Sequence, residues 1–87
     1  MIEEIKKIQG INNNEFDSII NNYISSAKKD LMIIGLASAK VTETDPLIHT
    51  AIVSYVLSFL DDQNGEMYAN SYARQKDSLR HNVEYMR

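Results

Sequence analysis

The 87-residue sequence contains no cysteine. It can therefore build neither a disulfide framework nor a thiolate metal site, which fits a reducing compartment. It also lacks a long hydrophobic run, because the longest apolar stretch covers about 14 residues and a membrane span needs about 20. The N-terminal residues Met1-Ile2-Glu3-Glu4 are acidic where a signal peptide would be basic. We therefore expect neither a membrane span nor a secretory signal.

Positive charge is scarce as well. Nine lysine and arginine residues face twelve aspartate and glutamate residues, which gives a formal net charge of −3. Affinity for duplex DNA depends largely on lysine and arginine side chains that neutralise phosphates. The balance argues against a general nucleic-acid binder, although a local basic patch remains compatible with it.

Groups that could support catalysis or bind a metal are few and scattered. The two histidines, His49 and His81, lie on different predicted helices without a paired ligand spacing, so we expect a partly buried His49 and a surface His81. The acidic turn around Gly65 does not match a calcium loop. If Gly65 is placed at the glycine position of such a loop, Leu60 and Ser71 fall at the first and last ligand positions, where oxygen ligands such as Asp and Glu are needed. No phosphate-binding or nucleophile motif is present. We expect no catalytic, metal or cofactor-binding residues and no enzymatic activity.

The clearest positive signal is the segment 45–60. Asp45 is a typical N-cap, and Pro46 at the first helical position lacks an N–H group that would have no partner there. The residues that follow are apolar on nearly every side, which in a water-exposed protein is typical of a helix enclosed by other elements. The pattern predicts a central buried helix.

Three other helices are predicted around it. Residues 2–9 form a short amphipathic helix that Gly10 ends, and Asn14 is the expected N-cap of a second helix that reaches Gly35. A last helix runs from about Glu66 toward Met86. Residues 36–44 form an irregular loop or part of a short strand, whose pairing partner would belong to another copy of the protein. The fold prediction is one all-α domain, residues 1–87, with three main helices, a short N-terminal helix and an irregular loop at 36–44.

The helical stripes divide the apolar residues into two predicted groups. The first group is the core, which contains Phe16, Ile20, Tyr23, Ile24, Ile52, Val53, Val56, Phe59 and Leu79. The second group is a subunit interface, which contains Ile2, Ile5, Ile8, Tyr68 and Tyr72. For the first helix the pattern leaves two alternatives open: it completes the core of its own chain, or it packs on a neighbouring subunit.

Three stretches resemble the phage head–tail connector proteins, which are also called adaptors or DNA-packaging proteins of the portal vertex. Residues 5–11 (IKKIQGI), a polar turn and residues 16–27 (FDSIINNYISSA) are similar to the opening helix, turn and long helix of that family. Residues 45–55 (DPLIHTAIVSY) resemble its capped central helix. The Asn64-Gly65 turn and residues 68–79 correspond to its final helix.

The resemblance implies a structural virion protein without a cofactor. Such a protein forms an oligomeric ring, often a dodecamer, beneath the portal at the head–tail junction, after assembly in the host cytoplasm. The ring extends the DNA channel, and its implied partners are other copies of the chain, the portal protein and a head-completion stopper or tail protein. DNA would pass through without sequence recognition, and no membrane is involved.

The alternative is a small helical regulatory protein that binds DNA or a partner protein. It requires a basic recognition helix, and Arg74, Lys76 and Arg80 in the last helix are the candidates.

Overall fold

One central helix, Pro46–Leu60 (α3), is surrounded by the other elements of the chain. The computed structural model describes all residues 1–87. The remaining elements, in chain order, are α1 (Ile2–Gln9), α2 (Asp17–Ile33), a single 3-10 turn (Ser38–Lys40) and α4 (Gly65–Arg80). The predicted all-α bundle, with a short N-terminal helix and an irregular connection at residues 36–44, is confirmed. None of the helices combines the length and apolar character needed to cross a membrane.

The start of α3 follows the sequence prediction. Oδ1 of Asp45 accepts hydrogen bonds from the backbone N–H groups of Leu47 (2.9 Å) and Ile48 (3.3 Å), so the side chain satisfies two donors that the helix leaves free. Pro46 occupies the first helical position. The middle of α3 is enclosed as predicted, but its ends are not, because Leu47 and Phe59 are each 56% exposed.

The start of α2 corrects the sequence prediction. The N-cap is Phe16 and not Asn14, and no side chain caps the helix. The asparagines have other partners: Oδ1 of Asn13 accepts from the backbone N–H of Glu15 (3.0 Å), and Oδ1 of Asn14 accepts from Nζ of Lys6 (3.0 Å). These side-chain hydrogen bonds thus compete with capping, and the helix starts two residues later than predicted.

The C-terminal segment also differs from the prediction. The last helix ends at Arg80, and the chain then turns back beside the segment that follows α2. Leu36 forms an antiparallel bridge with Met86, and the backbone N–H of Ala37 donates to the carbonyl of Tyr85 (2.8 Å). The pairing partner of the loop therefore belongs to the same chain, so its expected place in another copy was wrong.

The hydroxyl of Tyr85 ties this C-terminal segment to α3. It donates to Oδ1 (3.1 Å) and Oδ2 (2.9 Å) of Asp45, the same carboxylate that caps the helix. Desolvation raises the pKa of Asp45, but the hydrogen bonds from Tyr85 and from the N–H groups of Ile48 and Leu47 outweigh it, and the pKa lies below its ordinary value. The same carboxylate raises the pKa of the Tyr85 hydroxyl. One aspartate thus holds a helix start and a chain end together.

Burial confirms most of the predicted core and corrects two members. The confirmed buried residues are Ile20, Ile24, Ile52, Val56 and Leu79. Tyr23 and Val53 are half-buried and pack against this core. Phe16 and Phe59, in contrast, are 41% and 56% exposed. Phe16 stands just before α2. Phe59 lies in the last turn of α3, where its ring packs on Tyr23 and Tyr55 while more than half of the side chain stays open to solvent.

Candidate interaction surface

The predicted interface residues do not form one surface. Ile5 is fully buried within its own chain and Tyr72 is 7% exposed, so the interface prediction was wrong for both. Ile2 and Tyr68 are half-buried and pack on the core, and only Ile8, at 49% exposure, faces outward. Of the two alternatives for α1, the structure supports the first: the helix packs on α2 and α3 of its own chain and completes the core there.

Two polar contacts hold α1 in this position. The ammonium group of Lys6, a residue only 5% exposed, lies 3.0 Å from Oδ1 of Asp17 at the start of α2. Nε2 of His49 lies 2.6 Å from Oε1 of Glu4, which links α1 to the first turn of α3. Both contacts join α1 to elements of the same chain, so the lysine and this histidine have structural roles.

Tyr72 takes part in a network between α4 and α2. Its hydroxyl donates to Oδ2 of Asp30 (2.6 Å), and Nζ of Lys76 lies 3.5 Å from the same oxygen. Burial and the nearby carboxylate together raise the pKa of Tyr72. The network satisfies the polar end of a buried ring. It joins α4 to α2.

The remaining titratable side chains do not converge on a site. No three histidine, aspartate or glutamate residues lie close enough together to hold a metal ion. His81 is exposed, as predicted, and its Nδ1 lies 2.8 Å from the carbonyl oxygen of Asp77 within the same helix. Asp61, in the turn between α3 and α4, accepts from the side chain of Gln9 and from the N–H groups of Asn64 and Gln63, and its pKa is lowered mainly by Gln9.

One group of apolar side chains lies along the first half of α2 and at the end of α3. Phe16, Ile19 and Tyr23 follow one another at steps of three and four residues along one face of α2. The Tyr23 ring stacks on Phe59 of α3 with ring centroids 4.9 Å apart and planes 9° apart. Ile19 is 45% exposed, and both phenylalanines are exposed as well. We name these four residues the aromatic patch.

A pocket of about 250 Å³ lies toward the opposite end of α3. Its lining comes from the first turns of α3 and the last turns of α4, and is made of Leu47, Thr50, Gln75, Ser78, Leu79 and Asn82. Most of the lining surface is apolar. Oε1 of Gln75 is buried without a hydrogen-bond partner in the chain. The sequence prediction missed this pocket, since only the antiparallel packing of α3 and α4 brings its residues together.

The aromatic patch was missed for a different reason. The spacing of Phe16 and Tyr23 was visible, but a helical stripe does not show where the neighbouring helices end. The signal that could have located the patch is the position of Phe59 two residues before the polar turn at 61–65, because side chains near the end of a helix are often more exposed.

No protein-family model, curated protein or solved structure matches this chain.

Proposed function

We propose that this protein is a structural assembly module of the head–tail connector type, which forms an oligomeric ring beneath a phage portal. The observation that carries the proposal is the aromatic patch. Phe16, Ile19 and Phe59 are all exposed on a bundle whose core is otherwise complete, and Phe59 stacks on Tyr23, which shares one stripe with Phe16 and Ile19. Such patches are typical of surfaces that bind another protein.

The order of the helices supports the same proposal. A short first helix, a longer second helix, a capped central helix and a final helix follow one another as in the family that the sequence resembles. The net charge of −3 also suits a protein around a DNA channel, because a weakly acidic ring would not hold phosphates as DNA slides through. In this role the ring extends the channel and offers a docking surface for a stopper or tail protein.

The assembly state of the purified protein tests the proposal. Light scattering and negative-stain microscopy at high protein concentration should show a closed ring, either for the protein alone or after addition of the portal protein of the same virus. A protein that remains monomeric in both cases would contradict it. A portal or capsid gene next to the coding sequence would give independent support.

The alternative, a regulator that binds DNA, has weaker support from the side chains. Lys76 lies 3.5 Å from Asp30 and Arg80 lies 2.6 Å from Asp77, so two of the three candidate cations already have acidic partners. A salt-sensitive DNA mobility shift that disappears in the Arg74→Ala, Arg80→Ala double variant would favour this alternative over the ring.

A further inference from the structure

We infer that Asn64 is a site of spontaneous covalent modification, at which the backbone nitrogen of Gly65 displaces ammonia from the asparagine side chain and leaves aspartate or isoaspartate. The site lies in the turn between α3 and α4, and it does not depend on the proposed function. Asn64 is followed by glycine, and none of the other asparagines in the chain is.

The backbone nitrogen of Gly65 is free to react. Gly65 is the first residue of α4, a position whose N–H group has no acceptor within the helix. No backbone carbonyl elsewhere in the chain accepts from it. Because glycine has no side chain, its nitrogen is also open to approach from the preceding residue. The place of Gly65 in the fold therefore leaves the attacking group without a partner.

The side chain of Asn64 is accessible as well. Asn64 is exposed and is the N-cap of α4, yet its side chain makes no capping hydrogen bond. The turn is held instead by Asp61, whose Oδ1 accepts from the backbone N–H groups of Gln63 (3.0 Å) and Asn64 (2.7 Å). Gln9 is the main cause of the lowered pKa of Asp61, and the side-chain amide of Asn64 contributes least to it. No strong contact therefore holds the carboxamide that the reaction consumes.

The attack requires a local opening of the turn. The ψ angle of Asn64 is 11°, so the Gly65 nitrogen nearly eclipses the nitrogen of Asn64 and lies away from its side chain. Rotation about ψ brings the Gly65 nitrogen to Cγ, and it breaks one backbone hydrogen bond, from the N–H of Tyr68 to the carbonyl of Asn64 (3.0 Å). Helix ends open at a much lower free energy than the whole fold. We therefore expect the reaction in the folded protein, at a lower rate than in the unfolded chain.

The reaction has two balanced steps. The Gly65 nitrogen gives its proton to hydroxide and bonds to Cγ of Asn64, the bond between Cγ and Nδ2 breaks, and Nδ2 takes up a proton from water and leaves as ammonia. The product is a cyclic succinimide, which water then opens. Opening at Cγ gives aspartate, and opening at the backbone carbonyl carbon gives isoaspartate, whose main chain runs through Cβ and Cγ.

The packing of α3 against α4 keeps a glycine in this place. A Cβ atom at residue 65 would lie 2.9 Å from the backbone carbonyl oxygen of Ser58, closer than real Cβ atoms approach. A backbone oxygen inside a helix cannot turn aside as a flexible side chain can. A larger residue, which would shield the nitrogen from attack, therefore does not fit without a shift of the two helices.

The two products should affect the junction of α3 and α4 differently. Each adds one carboxylate and changes the formal net charge from −3 to −4. Aspartate at position 64 places this charge at the positive end of the helix dipole, where it also suits the N-cap. Isoaspartate adds one main-chain atom directly before Gly65, where the backbone already passes close to α3. We expect a lower melting temperature for the isoaspartate form only.

Incubation of the folded protein at mildly alkaline pH, followed by peptide mapping with mass spectrometry, tests the inference. Asn70 is the matched internal control, because it is exposed on the same helix but precedes Ser71, whose N–H group is bonded within the helix. Cleavage after Glu66 places the two asparagines in separate peptides. Asn64 should convert several-fold faster than Asn70, and enzymatic methylation of isoaspartate should label the Asn64 peptide. Equal rates at the two asparagines would overturn the inference.

Two variants test the chemistry. Asn64→Gln keeps the amide but requires a larger ring, so the acidic species seen by isoelectric focusing should appear several-fold more slowly. Gly65→Ala is compared with the natural chain in concentrated urea, where its ability to fold has no influence, and the added methyl group should slow the conversion of Asn64. An unchanged rate in either variant would show that the Gly65 nitrogen does not attack Asn64.

Discussion

At the scale of single residues, the hydroxyl of Tyr72 makes a short polar contact at the edge of the core. It lies 2.6 Å from Oδ2 of Asp30, and the ring is almost fully buried. The carboxylate accepts from Tyr72 and also faces the ammonium group of Lys76. Loss of the hydroxyl would leave the buried side of this carboxylate with one donor fewer.

We expect Tyr72→Phe to lower the free energy of unfolding by about 1–2 kcal/mol, because a hydrogen bond to a charged group is lost while the ring remains. Urea unfolding followed by circular dichroism measures the difference. Tyr68→Phe, at a half-buried tyrosine one turn earlier in α4, is the control and should change the midpoint little. Equal effects of the two changes would contradict this account of Asp30.

Acid should destabilise the protein in a defined range of pH. The hydrogen bond from Lys28 lowers the pKa of Glu43, and the pKa values of Asp45 and Asp61 are lowered as well. The unfolded chain, in which aspartate has its ordinary pKa of 3.8, therefore takes up protons before the folded chain does. The resulting stabilisation is complete above that value and is lost as the pH falls through the lower pKa values of the folded state.

The melting temperature, followed by circular dichroism from about pH 7 down to about pH 2.5, checks this expectation. It should stay nearly level down to the ordinary aspartate range and then fall. Asp45→Asn should start from a lower melting temperature and lose less on further acidification, because its side chain no longer takes up a proton. Parallel curves for the two proteins would show that Asp45 does not contribute to the acid sensitivity.

At the scale of elements, α1 belongs to the fold of the single chain. Ile5 is completely buried, whereas Ile8, one turn later on the same helix, is about half exposed. We expect Ile5→Ala to destabilise the monomer by about 2–5 kcal/mol, the usual cost of removing a buried isoleucine side chain. Ile8→Ala should change stability by less than about 1 kcal/mol. Thermal unfolding of the two variants at low protein concentration distinguishes a core helix from an interface helix.

The connection after α2 depends on one glycine. Gly35 has φ 114°, which side-chain-bearing residues rarely adopt, and a Cβ atom there would lie 2.7 Å from Cε of Met86. Gly10, which ends α1, has φ 70° and open space around it. We expect Gly35→Asn to cost about 1–3 kcal/mol and Gly10→Asn clearly less, since asparagine tolerates the left-handed region. Similar melting temperatures for the two variants would mean that the C-terminal segment is not packed against Gly35.

Among these elements, the ones that local signals specify were predicted well. Asp45 and Pro46 give the start of α3, and Gly10 gives the end of α1, because capping depends on residues close in sequence. The return of the C-terminal segment was not predictable in the same way. Its stabilising contacts, Tyr85 with Asp45 and Met86 with Leu36, join positions at least forty residues apart.

At the scale of the whole molecule, substitutions at two positions in α3 distinguish a residue that the fold requires from a residue on the exposed surface. Val56 is fully buried, and Phe59, three residues later, is more than half exposed. We expect Val56→Asp to unfold the chain, because an unpaired buried charge costs several kcal/mol, which is comparable to the total stability of a small domain. Phe59→Asp should keep the helical content of the natural protein. Far-ultraviolet circular dichroism of both variants provides the measurement, and an unfolded Phe59→Asp protein would assign the aromatic patch to the core.

The amino-acid sequence by itself determined the helical class, the bounds of α3 and most of the buried positions on α2 and α3. These properties follow from capping chemistry and from the repeat of apolar residues, and both are local. Only the tertiary structure decided that α1 packs on its own chain and that the C-terminal segment pairs with residues 36–37. It also decided that Phe16 and Phe59 remain outside. The physical reason is that burial depends on where neighbouring helices end and on how they pack, which contacts between distant residues determine.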